Sequence, residues 1–272
     1  MIHLVASDLD ETLLRSDKHV GLYTQEMIRK IQEKGIHFVC ATGRPFFSIQ
    51  NTLREIGQFQ KPGTYTISLN GGCVTENNTG QVLYTKPMNF DLVNQIYTLG
   101  KTYDVGIQVY LVDKTYAYRL NEDERHFLKG RMEVSKIDAE DLSFLKNRPI
   151  IKILFENTDL SILKQIEKQL PETISQNCDL SYSSNRYFEF NPRGVHKGLG
   201  LEYLCDHLKI AIKDTLAIGD NINDLGLLKT AGLSIGVKNA HPDILSTIDD
   251  LCPYTHDEDA VGHILQRYIL SK

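Results

Sequence analysis

The chain has 272 residues, 41% of them hydrophobic and 24% charged, with a formal net charge of −5. That length suits two small domains better than one, and the acidic balance argues against nucleic acid as a partner. The N-terminus does not read as a secretory signal, no apolar stretch reaches spanning length, and five scattered cysteines form no Cys-x-x-Cys pair, so a cytoplasmic protein with reduced thiols and no membrane partner is expected.

In chain order, an apolar run from Ile2 to Ala6 reads as a buried strand and leads into Ser7-Asp8-Leu9-Asp10-Glu11-Thr12. Thr24 is expected to cap a helix with Met27, Ile28 and Ile31 on one face, stopped at Gly35. A second strand, Ile36 to Ala41, runs into Thr42-Gly43-Arg44-Pro45, with Pro45 opening a helix to about Gly57. A third strand, Tyr65 to Leu69, ends at Asn70-Gly71-Gly72. Strand–helix–strand alternation of this kind predicts a parallel sheet. The middle differs: period-two runs on either side of Asp113-Lys114 predict a hairpin. A strand at Ile150–Phe155, a helix at Leu160–Leu170 and two strands between Thr173 and Phe190 follow. The last third returns to alternation, with a helix from Gly198, a strand at Thr215–Ile218, a helix around Leu225, a strand at Leu233–Val237, a helix from about His241, and a closing helix, Val261 to Leu270, capped by Asp259. The expected architecture is a doubly wound α/β core, residues 1–85 and 190–272, interrupted by an α+β unit at 86–189.

Ligands of open parallel sheets gather outside the carboxyl ends of the strands. Those ends carry one chemical theme here: Asp8 and Asp10 after the first strand, Thr42-Gly43-Arg44 after the second, and Gly219-Asp220-Asn221-Ile222-Asn223-Asp224 after the strand at Ile218, with Lys197 opening the helix before it. Four carboxylates facing one ammonium call for a cation, and oxygen ligands suit Mg2+. Such a set fits phosphoryl transfer, in which a cation and a lysine cancel the repulsion between an anionic nucleophile and a phosphate. Asp8 would attack, Asp10 would move the proton, and Thr42 with nearby backbone amides would hold the phosphoryl oxygens.

These motifs resemble those of the haloacid dehalogenase superfamily, in particular its Cof-type phosphatases. Asp8-Leu9-Asp10-Glu11-Thr12 is similar to D-x-D-x-T, and Thr42-Gly43-Arg44 and Lys197-Gly198 match the second and third motifs. Gly219 to Asp224 matches G-D-x-x-N-D, and Asn70-Gly71-Gly72 resembles an Asn-Gly-Ala stretch. The resemblance implies a Rossmann-like core with an inserted cap that closes over the site. It implies Asp8 as nucleophile and Asp10 as general acid and base. Mg2+ would lie among Asp8, the backbone region from Leu9 to Asp10, and Asp220, with Asp224 in support behind them. Leu9, Thr42, Gly43, Arg44, Lys197 and Asn223 would contact the phosphoryl group or its surroundings. Arg44 either touches substrate or pairs with a surface acid. Thr12 is expected to orient Asp10. Glu11, where relatives most often carry Gly, is expected to face solvent.

The function expected is Mg2+-dependent hydrolysis of a small phosphorylated metabolite, with sugar phosphates first and flavin or pyridoxal phosphates next, by a monomer or weak homodimer. A phosphosugar mutase of the same superfamily is the alternative. A phosphorelay receiver is the reading from a different class, disfavoured by the chain's length.

Overall fold

The computed structural model describes residues 1–271, which divide into two units: Met1–Tyr84 with the chain from His196 onward, and Thr85–Val195. The first unit begins with β1 (Leu4–Ser7), α1 (Leu22–Glu33), β2 (His37–Ala41), α2 (Gln50–Glu55), β3 (Tyr65–Ser68), β4 (Cys73–Glu76) and β5 (Val82–Thr85). The second unit carries α3 (Phe90–Gly100), β6 (Gly106–Leu111), β7 (Thr115–Tyr118), α4 (Glu122–Leu128), β8 (Ser135–Lys136), β9 (Ile150–Glu156), α5 (Leu160–Lys168), α6 (Glu172–Ser175), β10 (Cys178–Ser183) and β11 (Tyr187–Pro192). The chain then completes the first unit with α7 (Lys197–Leu208), β12 (Thr215–Gly219), α8 (Leu225–Thr230), β13 (Leu233–Gly236), β14 (Asp250–Leu251) and α9 (Ala260–Leu265).

The first unit's sheet has eight strands in the order β14-β13-β12-β1-β2-β3-β4-β5. From β14 to β3 the neighbours are parallel, and β4 turns back antiparallel to β3. Successive strand residues face opposite ways, and both faces are apolar. Val5, Phe38, Cys40, Leu216 and Ile218 pack with Met27, Ile28 and Ile31 of α1 and with α9. Leu4, Ala6, Val39, Ala41 and Ala217 pack with Leu201 and Leu204 of α7 and Leu227 of α8. The expected doubly wound α/β class is borne out.

The second unit is a six-stranded sheet, β10-β11-β9-β6-β7-β8. One face buries Ile107, Val109, Ile153, Phe155, Phe188 and Phe190 against α3 and α5. On the polar side, the buried Glu124 carboxylate takes hydrogen bonds from Gln108, Tyr187 and Arg186. Strand β11 pairs with β9 through Phe190 and with β10 through Pro192, and the second unit runs to Val195, past residue 189, where its end was expected.

Local expectations fail where a side chain serves a distant element. Thr24 does not cap α1; Gly21 stands at that position. The Thr24 hydroxyl instead donates to Asp259 Oδ1 at 3.0 Å and accepts from Gly262 N at 3.2 Å, so it serves the start of α9. Asp259, at φ 58, makes no capping bond of its own. The segment after His241 is a single 3-10 turn, Pro242–Ile244, and Pro45 precedes another, Phe46–Ser48. Among the described residues no helix is long and apolar enough to cross a membrane.

Helices α7 and α8 meet at two glycines. A Cβ on Gly198 would lie 2.3 Å from Gly226 O and 2.4 Å from Thr230 Oγ1. The α7 backbone cannot yield without moving Lys197, the neighbour of Gly198. Gly198→Ala is therefore expected to cost about 1–3 kcal/mol of stability, read from the urea midpoint; an unchanged midpoint would contradict this close crossing.

Candidate active site

The site is built from three parallel strand ends. The order β12-β1-β2 sets them side by side, and Ser7 is in register with both Ile218 and Cys40. Asp8 is the next residue out, its amide donating to Ile218 O at 2.9 Å. Beyond it the chain curls: the amides of Thr12, Leu13 and Leu14 donate to Leu9 O at 3.4, 3.0 and 2.8 Å. Glu11 takes φ 61 inside this curl. Thr12 Oγ1 is thereby aimed at Asp220 Oδ1, 2.8 Å away. The hydroxyl expected to orient Asp10 holds Asp220 instead, because the curl carries it across to the β12 loop.

Lys197 opens α7 directly after His196, whose Nδ1 accepts from Leu199 N at 3.2 Å. The Asn70-Gly71-Gly72 turn seats this helix start: Gly71 has φ 90, and a Cβ there would lie 2.1 Å from His196 O. The Lys197 side chain has no exposure, and its Nζ donates to Asp8 Oδ1 at 2.5 Å and Asp224 Oδ1 at 2.6 Å. The other oxygen of Asp224 accepts from the amides of Asp220 and Asn221, at 3.0 and 3.1 Å. Gly219 is required beneath it, since a Cβ would sit 2.7 Å from Asp224 Oδ2.

Asp8, Asp220 and Asp224 are all buried and offer oxygens that lie within 4.8 Å of one another. Burial, then the Asp224 charge, raises the Asp8 carboxyl well above the ordinary range despite Lys197. The same two causes push Asp220 up to about 7. Burial alone would depress the Lys197 ammonium, but Asp224 and Asp8 outweigh it and hold the proton firmly. Three carboxylates thus face one ammonium in a desolvated place, and their donors are all oxygen. That set fits a hard divalent cation such as Mg2+. Asp224 spends one oxygen on Lys197 and the other on two amides, which leaves Asp8 and Asp220 as the side chains suited to hold the ion and Asp224 behind them.

The remaining candidates are placed differently. The Asp10 side chain is 42% exposed and stands outside the three-carboxylate group. Arg44 pairs with it in bidentate fashion, Nε lying 2.8 Å from Oδ2 and Nη2 bonding Oδ1. The Asp10 carboxylate is therefore not assembled with the other three, and Arg44's partner is an acid at the site's edge. Thr42 is buried, and its hydroxyl accepts from Arg44 N at 3.1 Å. Leu9 is a core residue, so only its backbone faces the site. A Cβ on Gly43 would come within 2.8 Å of Asn70 Oδ1, and Asn223 is half-buried on the Ile222–Asp224 turn. Glu11 is exposed, as expected, and its φ explains why Gly suits the position. Sequence reasoning missed Asn239, which reaches the Glu11 carbonyl; the only signal was its place after another strand of the same sheet edge.

The model of the haloacid dehalogenase-like hydrolases matches residues 5–265. The chain belongs to that family. A 5-amino-6-(5-phospho-D-ribitylamino)uracil phosphatase of Bacillus subtilis is 24% identical over 99% of this chain and 96% of its own length. An HMP-PP phosphatase of Serratia proteamaculans is 26% identical, covering 100% and 97%. A crystal structure of a haloacid dehalogenase-like hydrolase from Bacteroides thetaiotaomicron superposes with a TM-score of 0.85 at 25% identity, over 98% of this chain and 99% of that one. The chain is thus an enzyme of a hydrolase family whose full-length relatives are phosphatases, and the expected superfamily is borne out.

Removing Lys197 would leave Asp8 and Asp224 buried without their counter-charge. Lys197→Met is expected to destabilise the protein by about 3–5 kcal/mol in chemical unfolding at neutral pH, and wild-type stability would contradict the pairing. Glu11→Gly removes αL strain of about 1–2 kcal/mol and adds unfolded-state freedom worth about 0.5–1 kcal/mol. Near-wild-type stability and turnover are expected; a collapse in rate would make Glu11 part of the site.

Proposed function

We propose that the chain is a Mg2+-dependent phosphatase acting on a small phosphorylated metabolite through an aspartyl phosphate on Asp8. The observation that carries this reading is the buried Lys197 ammonium between Asp8 and Asp224, with Asp220 held alongside by Thr12. An Asp8 carboxylate oxygen attacks phosphorus, and the bond from phosphorus to the substrate oxygen breaks. Asp10 gives the departing oxygen its proton. It is paired with Arg44 at the edge of the site, a contact it would leave to reach that oxygen. As a carboxylate it then takes a proton from water, whose oxygen attacks the phosphorus and releases Asp8 and inorganic phosphate.

Lys197 favours the ionised form of Asp8 against its burial, orients it and offsets charge on the phosphoryl oxygens, while Thr42 and nearby backbone amides hold those oxygens. Asn223 would add a side-chain amide from the third loop. Mg2+ held by Asp8 and Asp220 would supply further positive charge against the same oxygens.

The phosphatases among the full-length relatives favour hydrolysis over the mutase alternative, and family membership sets the receiver reading aside. Sugar phosphates remain the first substrate class to try. The compounds in the relatives' names, phosphoribitylamino-uracil and HMP-PP, belong in the same panel. All five cysteines are buried and unpaired, in keeping with a cytoplasmic enzyme, and a monomer or weak homodimer is proposed.

The test is turnover of that panel with Mg2+ by wild-type protein and by Asp8→Asn. The variant keeps the shape of the side chain but not its nucleophilicity, so a loss of about 10³-fold or more is expected with an unchanged circular dichroism spectrum. Retained turnover would remove Asp8 from its role.

A further inference from the structure

The loop after β13, residues 237–241, touches both acidic loops of the site. On one side His241 N donates to Asp220 O at 2.7 Å and Val237 N to Gly219 O at 3.4 Å. On the other, Asn239 Nδ2 donates to Glu11 O at 2.8 Å. Asn239 Oδ1 accepts from His256 N at 3.0 Å. A carbonyl and an amide as partners allow the side-chain amide one orientation only.

The anchor behind Asn239 is itself braced. His256 begins the 3-10 turn His256–Glu258, closed by Glu258 taking both the amide and the hydroxyl of Thr255 at 2.9 Å. Asp257 of the same turn accepts from the amide and hydroxyl of Ser16, both at 2.7 Å. The far end of the β1 loop is thus tied to the same turn.

Between these ties lies Glu11 at φ 61, a region that disfavours a residue with a Cβ. Relaxation of that residue would swing Thr12 off Asp220 and shift Asp10 against Arg44. We propose that Asn239 is a positioning residue: by holding the Glu11 carbonyl it keeps the β1 loop in its left-handed curl, and so sets Asp10 and Thr12 relative to Asp220. It touches none of the reacting atoms. The catalytic consequence rests on the phosphatase reading; the conformational one does not.

The test compares amide hydrogen exchange, in protein free of substrate, with kcat and KM for para-nitrophenyl phosphate in the presence of Mg2+. The proteins are wild type, Asn239→Asp, Asn239→Ala, Glu11→Gly, and Glu11→Gly with Asn239→Ala. Asn239→Asp keeps the acceptor for His256 N and turns an oxygen toward Glu11 O. In that variant the Leu13 and Leu14 amides are expected to exchange about ten-fold faster or more, with β12 amides at their wild-type rates. A similar fall in kcat is expected, with KM changed less than about two-fold. Glycine enters the left-handed region unaided, so the Asn239→Ala penalty should shrink at least about three-fold in the Glu11→Gly background.

Unchanged loop exchange in Asn239→Asp, equal acceleration in β12, or the same penalty in both backgrounds would overturn the proposal. A wild-type protein with the expected exchange pattern but no turnover of any phosphate ester would overturn the phosphatase reading alone.

Discussion

A single buried ammonium organises the catalytic unit. Lys197 is without solvent exposure and lies between Asp8 and Asp224, three residues brought from the end of β1, the start of α7 and the turn before α8. An unpaired lysine at that depth would be deprotonated or destabilising, and unpaired carboxylates there would be protonated. Paired, Lys197 keeps its proton and its charge opposes the burial that raises Asp8, and geometry follows from that need. Helix α7 starts where its first side chain can reach both acids. The glycine contact between Gly198 and Gly226 lets the two helices approach closely enough. Asp224, fixed through one oxygen by Lys197, uses the other to turn the Asp220-Asn221 backbone.

The parallel sheet supplies the rest. Because β12, β1 and β2 are neighbours in register, loops far apart in sequence emerge at one edge. Two kinds of cross-tie then lock them: Thr12 to Asp220 between side chains, and Asn239 to the Glu11 carbonyl from the loop after β13. Asp10 and Arg44 stay at the exposed margin of this network as an ion pair.

Much of this was legible in the sequence because it is local. Strand-to-loop transitions at Asp8, Thr42 and Gly219 follow from buried runs ending in polar residues, and the hairpin around Asp113-Lys114 follows from period-two alternation. The illegible parts are contacts between residues distant in sequence. Nothing near Thr24 indicates that its hydroxyl serves Asp259 and Gly262, and nothing near Thr12 indicates Asp220 rather than Asp10. The antiparallel return of β4 and the end of the second unit at β11 depend on pairing partners that periodicity alone does not name. The left-handed curl at Glu11 is hidden because the residue there is not the glycine that would have announced it.

The central claim is that Asp8, held by Lys197, carries the phosphoryl group during turnover. The most direct measurement is a single turnover with enzyme in excess, quenched in acid within the reaction's lifetime, followed by mass analysis of the peptides. The account predicts a phosphoryl group, labile at neutral pH, on the peptide containing Asp8 and at that side chain. Substrate consumed with no phosphopeptide at any quench time, or with the phosphoryl group on another residue, would contradict it.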